Sequence, residues 1–224
     1  MLAFFAIAGL AFAQAPPPPP YIQAFGEGVV AVAPDQAHIA VGVVTQAATA
    51  EAAGTQNAER ADAVIRELRR VAGPNAEIRT AGYSLEPMYR SPRDAAPEIS
   101  GYTARNTVLV TTSDLKSVGP IIDAAMKAGA NNIQRLEFSL KDQRAARAQA
   151  LKEAAAAARA DAEAIASALG VRIVRVLSAE AGGEPPIRPM VMSMARMEAA
   201  AATPIEPGTV EVRAAVTLRV EVAR

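Results

Sequence analysis

Residues from about Asp142 to Leu169 carry the longest helical pattern in the chain, and that pattern limits what the chain can fold into. Leu151, Ala155, Ala158, Ala162, Ile165 and Leu169 recur at alternating steps of four and three, which places them on one stripe of a helix. Gly170 follows as a residue able to turn left-handed past the last turn, and Ser139 with Asp142 resembles a capping box at the start. At ~1.5 Å per residue such a helix is ~40 Å long, so it must lie across a sheet or reach another subunit. Half of its stripe is alanine, so whatever packs on it comes close.

Strand and helix signals alternate before this helix. Ala37, Ile39, Val41 and Val43 alternate with His38, Ala40, Gly42 and Val44, as in a half-buried strand. A helix is expected from about Ala50 to Val71, with Ala61, Val64, Leu68 and Val71 on one face and Gly73-Pro74 as its stop. Strands from about Glu77 to Tyr89 and from Tyr102 to Thr112 form a hairpin around a polar tip, Ser91 to Ser100. The next helix, Leu115 to Ala128, contains Pro120, which predicts a kink there or a true start near it. Strands follow at about Asn132 to Leu140 and Val171 to Ala179.

The chain closes on its clearest strand. Val210, Val212, Ala214, Val216, Leu218, Val220 and Val222 share one face, while Glu211, Arg213, Thr217, Arg219 and Glu221 share the other. Such a strand pairs internally or is left as an open edge that a second copy can use. The fold class that follows is α+β: a mixed, largely antiparallel sheet with helices packed mainly on one face, one of them long and Ala-rich.

Residues 1–13 read as a signal peptide. Leu2 to Phe12 is apolar but too short to cross a bilayer as an ordinary helix, and Ala11-Phe12-Ala13 has the small-x-small form of a cleavage site. Cleavage after Ala13 into the periplasm is the expectation; a retained N-terminal anchor is the alternative, since no Lys or Arg precedes the run. Residues 14–24 form a Pro-rich linker with an extended run at Pro16 to Pro20, and 25–224 form the folded domain. The chain has no cysteine, which excludes disulfides, thiolate metal sites and a lipid-modified Cys.

Charge balances at 23 basic against 23 acidic residues, and the arginines are interleaved with acids, so nucleic acid is not an expected partner. Gly26-x-Gly28 precedes a strand and lacks a third glycine, so it is not a dinucleotide fingerprint. His38 is the only histidine, and one histidine makes neither a His-based metal site nor a triad by itself. No catalytic residue, bound cofactor or metal ligand is assigned. Met190, Met192, Met194 and Met197 are the one unusual cluster, in an irregular stretch from Gly182 to Gly208. They can serve as an exposed loop or a greasy contact to another subunit, as soft donors to Cu(I), or as a reversible oxidant sink.

One ordered series of residues resembles the SIMPL domain family, which includes periplasmic oxidative-stress-defence proteins and a Brucella-type periplasmic immunogen. It comprises Gly26-x-Gly28, Pro34-Asp35-x-Ala37, Ile78-x-Thr80 with Tyr83 to Pro87, and Gly101-Tyr102-x-Ala104-x-Asn106. It continues through Ile121-Ile122-Asp123, Gly129-Ala130, the Ala-rich helix and Pro207-Gly208. The resemblance implies an exported homo-oligomer, associated with the envelope or outer membrane, with no established enzyme activity. Two functions stay open: a self-assembling envelope or stress-tolerance protein, and a periplasmic binding module for a soft metal or a hydrophobic ligand.

Overall fold

A computed structural model describes residues 19–91, 96–182 and 205–224. The segment read as a signal peptide, residues 92–95 of the hairpin tip and the four methionines at 190–197 lie outside the described residues. Among the described residues seven strands and three α-helices follow in the order β1 (Tyr21–Val32), β2 (Gln36–Ala47), α1 (Ala50–Ala72), β3 (Glu77–Arg90), β4 (Glu98–Thr112), α2 (Val118–Lys127), β5 (Asn132–Ser139), α3 (Arg144–Ala168), β6 (Arg172–Ala181) and β7 (Val210–Ala223). The fold is α+β, as the sequence implies, but the strands form two sheets instead of one: β1-β7-β6 and β3-β4-β2-β5. The first strand starts at Tyr21, inside the stretch read as linker.

The chain divides into two compact units. The larger, 29–150 with 184–213, holds the four-stranded sheet and α1 and α2. Its core joins Ile39, Val41 and Val43 of β2 and Val108 and Val110 of β4 to Val64 and Leu68 of α1 and Ile121 of α2. Helix α1 starts where the Thr49 hydroxyl accepts from the Ala52 N–H, which satisfies one of the free donors of its first turn. Asn57 lies on its buried face, and its Nδ2 donates to the carbonyls of Val43 (2.9 Å) and Ala104 (3.1 Å), tying the helix to two strands. A 3₁₀ turn, Leu115–Ser117, leads into α2, so Pro120 falls in the first turn, where its missing N–H costs nothing.

The smaller unit, 1–28 with 151–183 and 214–224, packs Ala158, Ala162 and Ala166 of α3 on Ile22 and Ala24 of β1 and on Leu218 and Val220 of β7. The buried stripe of α3 is Ala150, Ala154, Ala158, Ala162 and Ala166, which shares only Ala158 and Ala162 with the stripe the spacing predicts: Leu151 is half-buried, Ala155 is exposed, and Ile165 and Leu169 lie open. Gly26 decides the phase. A Cβ built there would lie 2.2 Å from Ala154 O and 2.4 Å from Ala158 N, which are the two ends of one helical hydrogen bond. At that approach only alanine fits beneath the strand, and the larger residues are turned aside. The start of α3 also differs from expectation. Asp142 accepts from the backbone N–H of Arg144 (2.9 Å), whereas the Ser139 hydroxyl is engaged with His38.

Strand β7 alternates buried and exposed residues as read, but it is the central strand of its sheet. The open-edge alternative for this strand is therefore excluded, and the edges of that sheet are β1 and β6. In β6, Val174 and Leu177 are extra residues that break the register against β7. Such bulges bend an edge strand away from strand-on-strand pairing.

Candidate functional site

His38, the lone histidine, sits on β2 opposite Thr111 of β4 and Glu137 of β5, on the sheet face away from the α1–α2 core. Its Nδ1 lies 3.1 Å from Thr111 Oγ1 and its Nε2 lies 3.0 Å from Ser139 Oγ, so one ring ties three neighbouring strands. Ser139 Oγ is also 3.5 Å from Gln36 Oε1. A Ser–His contact of this length is the first requirement for an activated nucleophile. The second requirement is a carboxylate on the other ring nitrogen, which holds the tautomer and stabilises the imidazolium. Thr111 occupies that place, and its hydroxyl can accept from a ring N–H but carries no charge to balance an imidazolium. The constellation is built as a polar clasp across β4, β2 and β5.

Among the described residues no group of three or more His, Asp or Glu converges as a metal site. The perturbed carboxylates sit in exposed pairs. The Arg70 guanidinium holds Glu67 below its usual range through a side-chain hydrogen bond, and Arg144 lowers Asp142 to about 2 in the same way, aided by the Arg144 backbone N–H. Pairs of this kind belong to helix surfaces and do not mark a reaction centre.

Two surfaces offer more than these polar groups. In the smaller unit a groove of about 650 Å³ is lined by Ala166, Val171, Ile173, Leu218 and Val220, with Arg159 among its polar residues. Arg159 is held by Glu163 at 2.9 Å. In the larger unit the β3–β4 hairpin carries an apolar face. Register pairs Tyr83 with Asn106, Leu85 with Ala104, Pro87 with Tyr102 and Tyr89 with Ile99. Paired residues share a face, so Tyr83, Leu85, Pro87, Tyr89, Ile99 and Tyr102 form one stripe. Tyr83, Tyr89 and Ile99 are each more than half exposed. The sequence reading located the hairpin but not this face. Its signal was present in the strict alternation of Tyr83, Leu85, Pro87 and Tyr89 with Ser84, Glu86 and Met88. Asn57 also carries a sequence signal, as the one polar residue on the spacing Ala53, Asn57, Ala61, Val64 and Leu68.

Residues 22–220 match the family model described as SIMPL, protein of unknown function (DUF541). The chain is 31% identical over 182 residues to the 26 kDa periplasmic immunogenic protein of Brucella melitensis, covering 80% of this chain and 72% of that protein. It is 28% identical over 162 residues to the uncharacterized protein YggE of Edwardsiella ictaluri, covering 72% and 68%. It is 32% identical over 158 residues to YggE of Escherichia coli K12, covering 69% and 63%. Alignment to the crystal structure of AtUAH in complex with glyoxylate gives a TM-score of 0.28 and 14% identity over 58% of this chain and 35% of that one, too low to carry an inference.

Proposed function

The chain belongs to the SIMPL family, and on that premise we propose that it is an exported, non-enzymatic envelope protein that assembles with copies of itself and supports envelope maintenance or tolerance of oxidants. The observation that carries this reading is exposed apolar surface. Tyr83, Tyr89 and Ile99 stand open on one face of a hairpin, an unusual use of large apolar residues in a chain that stays alone. Export is supported by the small-x-small site at Ala11-Phe12-Ala13 and by the periplasmic name of the Brucella relatives. Among the described residues no helix is long and apolar enough to cross a membrane.

The test is genetic and physical together. The protein recovered from a periplasmic extract should begin at Gln14, and a strain lacking it should lose viability under peroxide and regain it on complementation. Recovery of the chain with Met1 retained, or a deletion strain as tolerant as its parent, would contradict the proposal.

The second reading, a binding module for a hydrophobic ligand, is favoured by the groove beside β6. Its volume falls within the ~300–1,000 Å³ common for ligand pockets. Saturable binding of a fluorescent fatty acid, lost in Ile173→Glu, would support it. The soft-metal form of that reading rests on Met190, Met192, Met194 and Met197, and a Cu(I) titration followed at their methyl signals tests it.

A further inference from the structure

We infer that the contact between copies is made by the exposed apolar stripe of the β3–β4 hairpin, on the α1 side of the sheet with Tyr83 beside Gly54, packed against the same stripe of a second chain across a two-fold axis. This rests on the self-assembly proposed above and names its surface.

The stripe holds three of the four tyrosines in the chain. Tyrosine supplies large contact area at little entropic cost and is enriched in the centres of interfaces. From Tyr83 to Tyr89 the stripe runs six residues, or ~20 Å at strand rise. A two-fold axis through its middle, level with Glu86, sets Tyr83 of one copy over Tyr89 of the other and Leu85 over Pro87. The stripe is therefore complementary to itself, as an isologous contact requires.

The charges point to the same partner. None of the six stripe residues is ionisable at neutral pH, so a strongly acidic or basic partner has nothing here to read. Arg90 and Glu98 at the outer end of the hairpin are paired with each other at 3.6 Å. The chain is neutral overall, so copies do not repel. Strand addition along the edge is blocked, because β3 carries a bulge at Ala81 and Pro87 lacks an N–H. The face is what remains for contact.

The area sets the strength. Tyr83, Leu85, Tyr89 and Ile99 are 57%, 39%, 63% and 53% exposed. Side chains of this size at that exposure offer on the order of 400 Å² per copy. That is about half of the ~800 Å² per partner in a standard interface. The contact is expected to be concentration-dependent, and firm only where a closed assembly adds further surface.

The test uses the full chain, whose lack of cysteine leaves any introduced thiol unique. Pro87→Cys on the stripe should cross-link to a dimer with a short bis-maleimide, whereas Glu86→Cys, facing the other way, should not. Tyr89→Glu and Ile99→Glu replace exposed residues, so the melting temperature should hold while dissociation of the assembly shifts at least tenfold toward monomer. If the wild type assembles but both variants assemble equally well and Pro87→Cys fails to cross-link, the hairpin is overturned and self-assembly stands. If the wild type is monomeric at every concentration, self-assembly itself falls. If the wild type is monomeric and binds phosphatidylcholine vesicles in a Tyr89-dependent way, the face serves lipid and the inference is overturned.

Discussion

Adding one methyl group at Gly26 should force β1 away from α3. The new carbon would sit 2.2 Å from Ala154 O and 2.4 Å from Ala158 N, where non-bonded atoms prefer ~3.5–4.0 Å. Both obstacles are helix backbone, so no side chain can swing aside to make room. The strand has to retreat by roughly 1 Å or more, and a gap of that size forfeits about a quarter to a half of the dispersion energy along the contact. Ile22, Ala24, Ala158 and Ala162 all lie on that contact. Overpacking alone costs ~1–3 kcal/mol, and the loss along the rest of the seam places Gly26→Ala at about 3 kcal/mol or above. That is a large share of the ~5–15 kcal/mol that holds an ordinary domain together. Gly82 is the internal control, because a Cβ there meets nothing within 4 Å. Gly82→Ala should leave stability unchanged or raise it by up to ~1 kcal/mol, through the narrower unfolded ensemble. Urea unfolding of both variants, with hydrogen exchange read at the β1 and β7 amides, makes the comparison. A loss under about 1 kcal/mol in Gly26→Ala, with the denaturant slope unchanged, would refute the claim that this glycine sets the spacing of strand and helix.

Ala158→Glu should destabilise by more than about 3 kcal/mol, since it overpacks a fully buried site and puts a carboxylate there; an unchanged melting temperature would refute the helix phase. Asn57→Ala should cost about 2 kcal/mol or more by stripping the donor from the Val43 and Ala104 carbonyls, read as a shifted urea midpoint. His38→Ala should cost ~1–2 kcal/mol for two half-buried hydrogen bonds and leave the assembly mass unchanged. Asp142 has a folded pKa below its unfolded value, so its contribution is present above pH ~4 and is lost as the pH falls through about 2; NMR titration of its carboxylate should show that midpoint, and Arg144→Ala should raise it.

Local signals carried most of the secondary structure. Helix α1 begins at Ala50 because Thr49 caps it, and α3 ends before Gly170, whose φ of 66° few other residues adopt. Both causes lie within a few residues of the boundary they set, so both are visible in the sequence. The phase of α3 is different. Hydrophobic contrast favours the stripe that carries Leu151, Ile165 and Leu169, whereas the buried stripe is all alanine, and the choice is made by Gly26, which is remote in sequence. Pairing is remote in the same way. Nothing near Val210–Ala223 says that β1 and β6 flank it, and nothing near β2 says that its partners are β4 and β5. Met126 shows the limit of reading by helix membership: the sequence places it in a packed helix, yet it is 46% exposed. Of the candidate sites, His38 was legible only as a lone histidine on a strand, and Thr111 and Ser139 became its partners only through strand register.

Self-assembly through the hairpin face is the central claim, and the native mass of the chain by light scattering tests it most directly. At tens of micromolar the wild-type protein should give a mass of two or more chains that falls on tenfold dilution, and Tyr89→Glu should give the mass of one chain at both concentrations. A wild-type mass of one chain, unchanged across that range, would contradict the account.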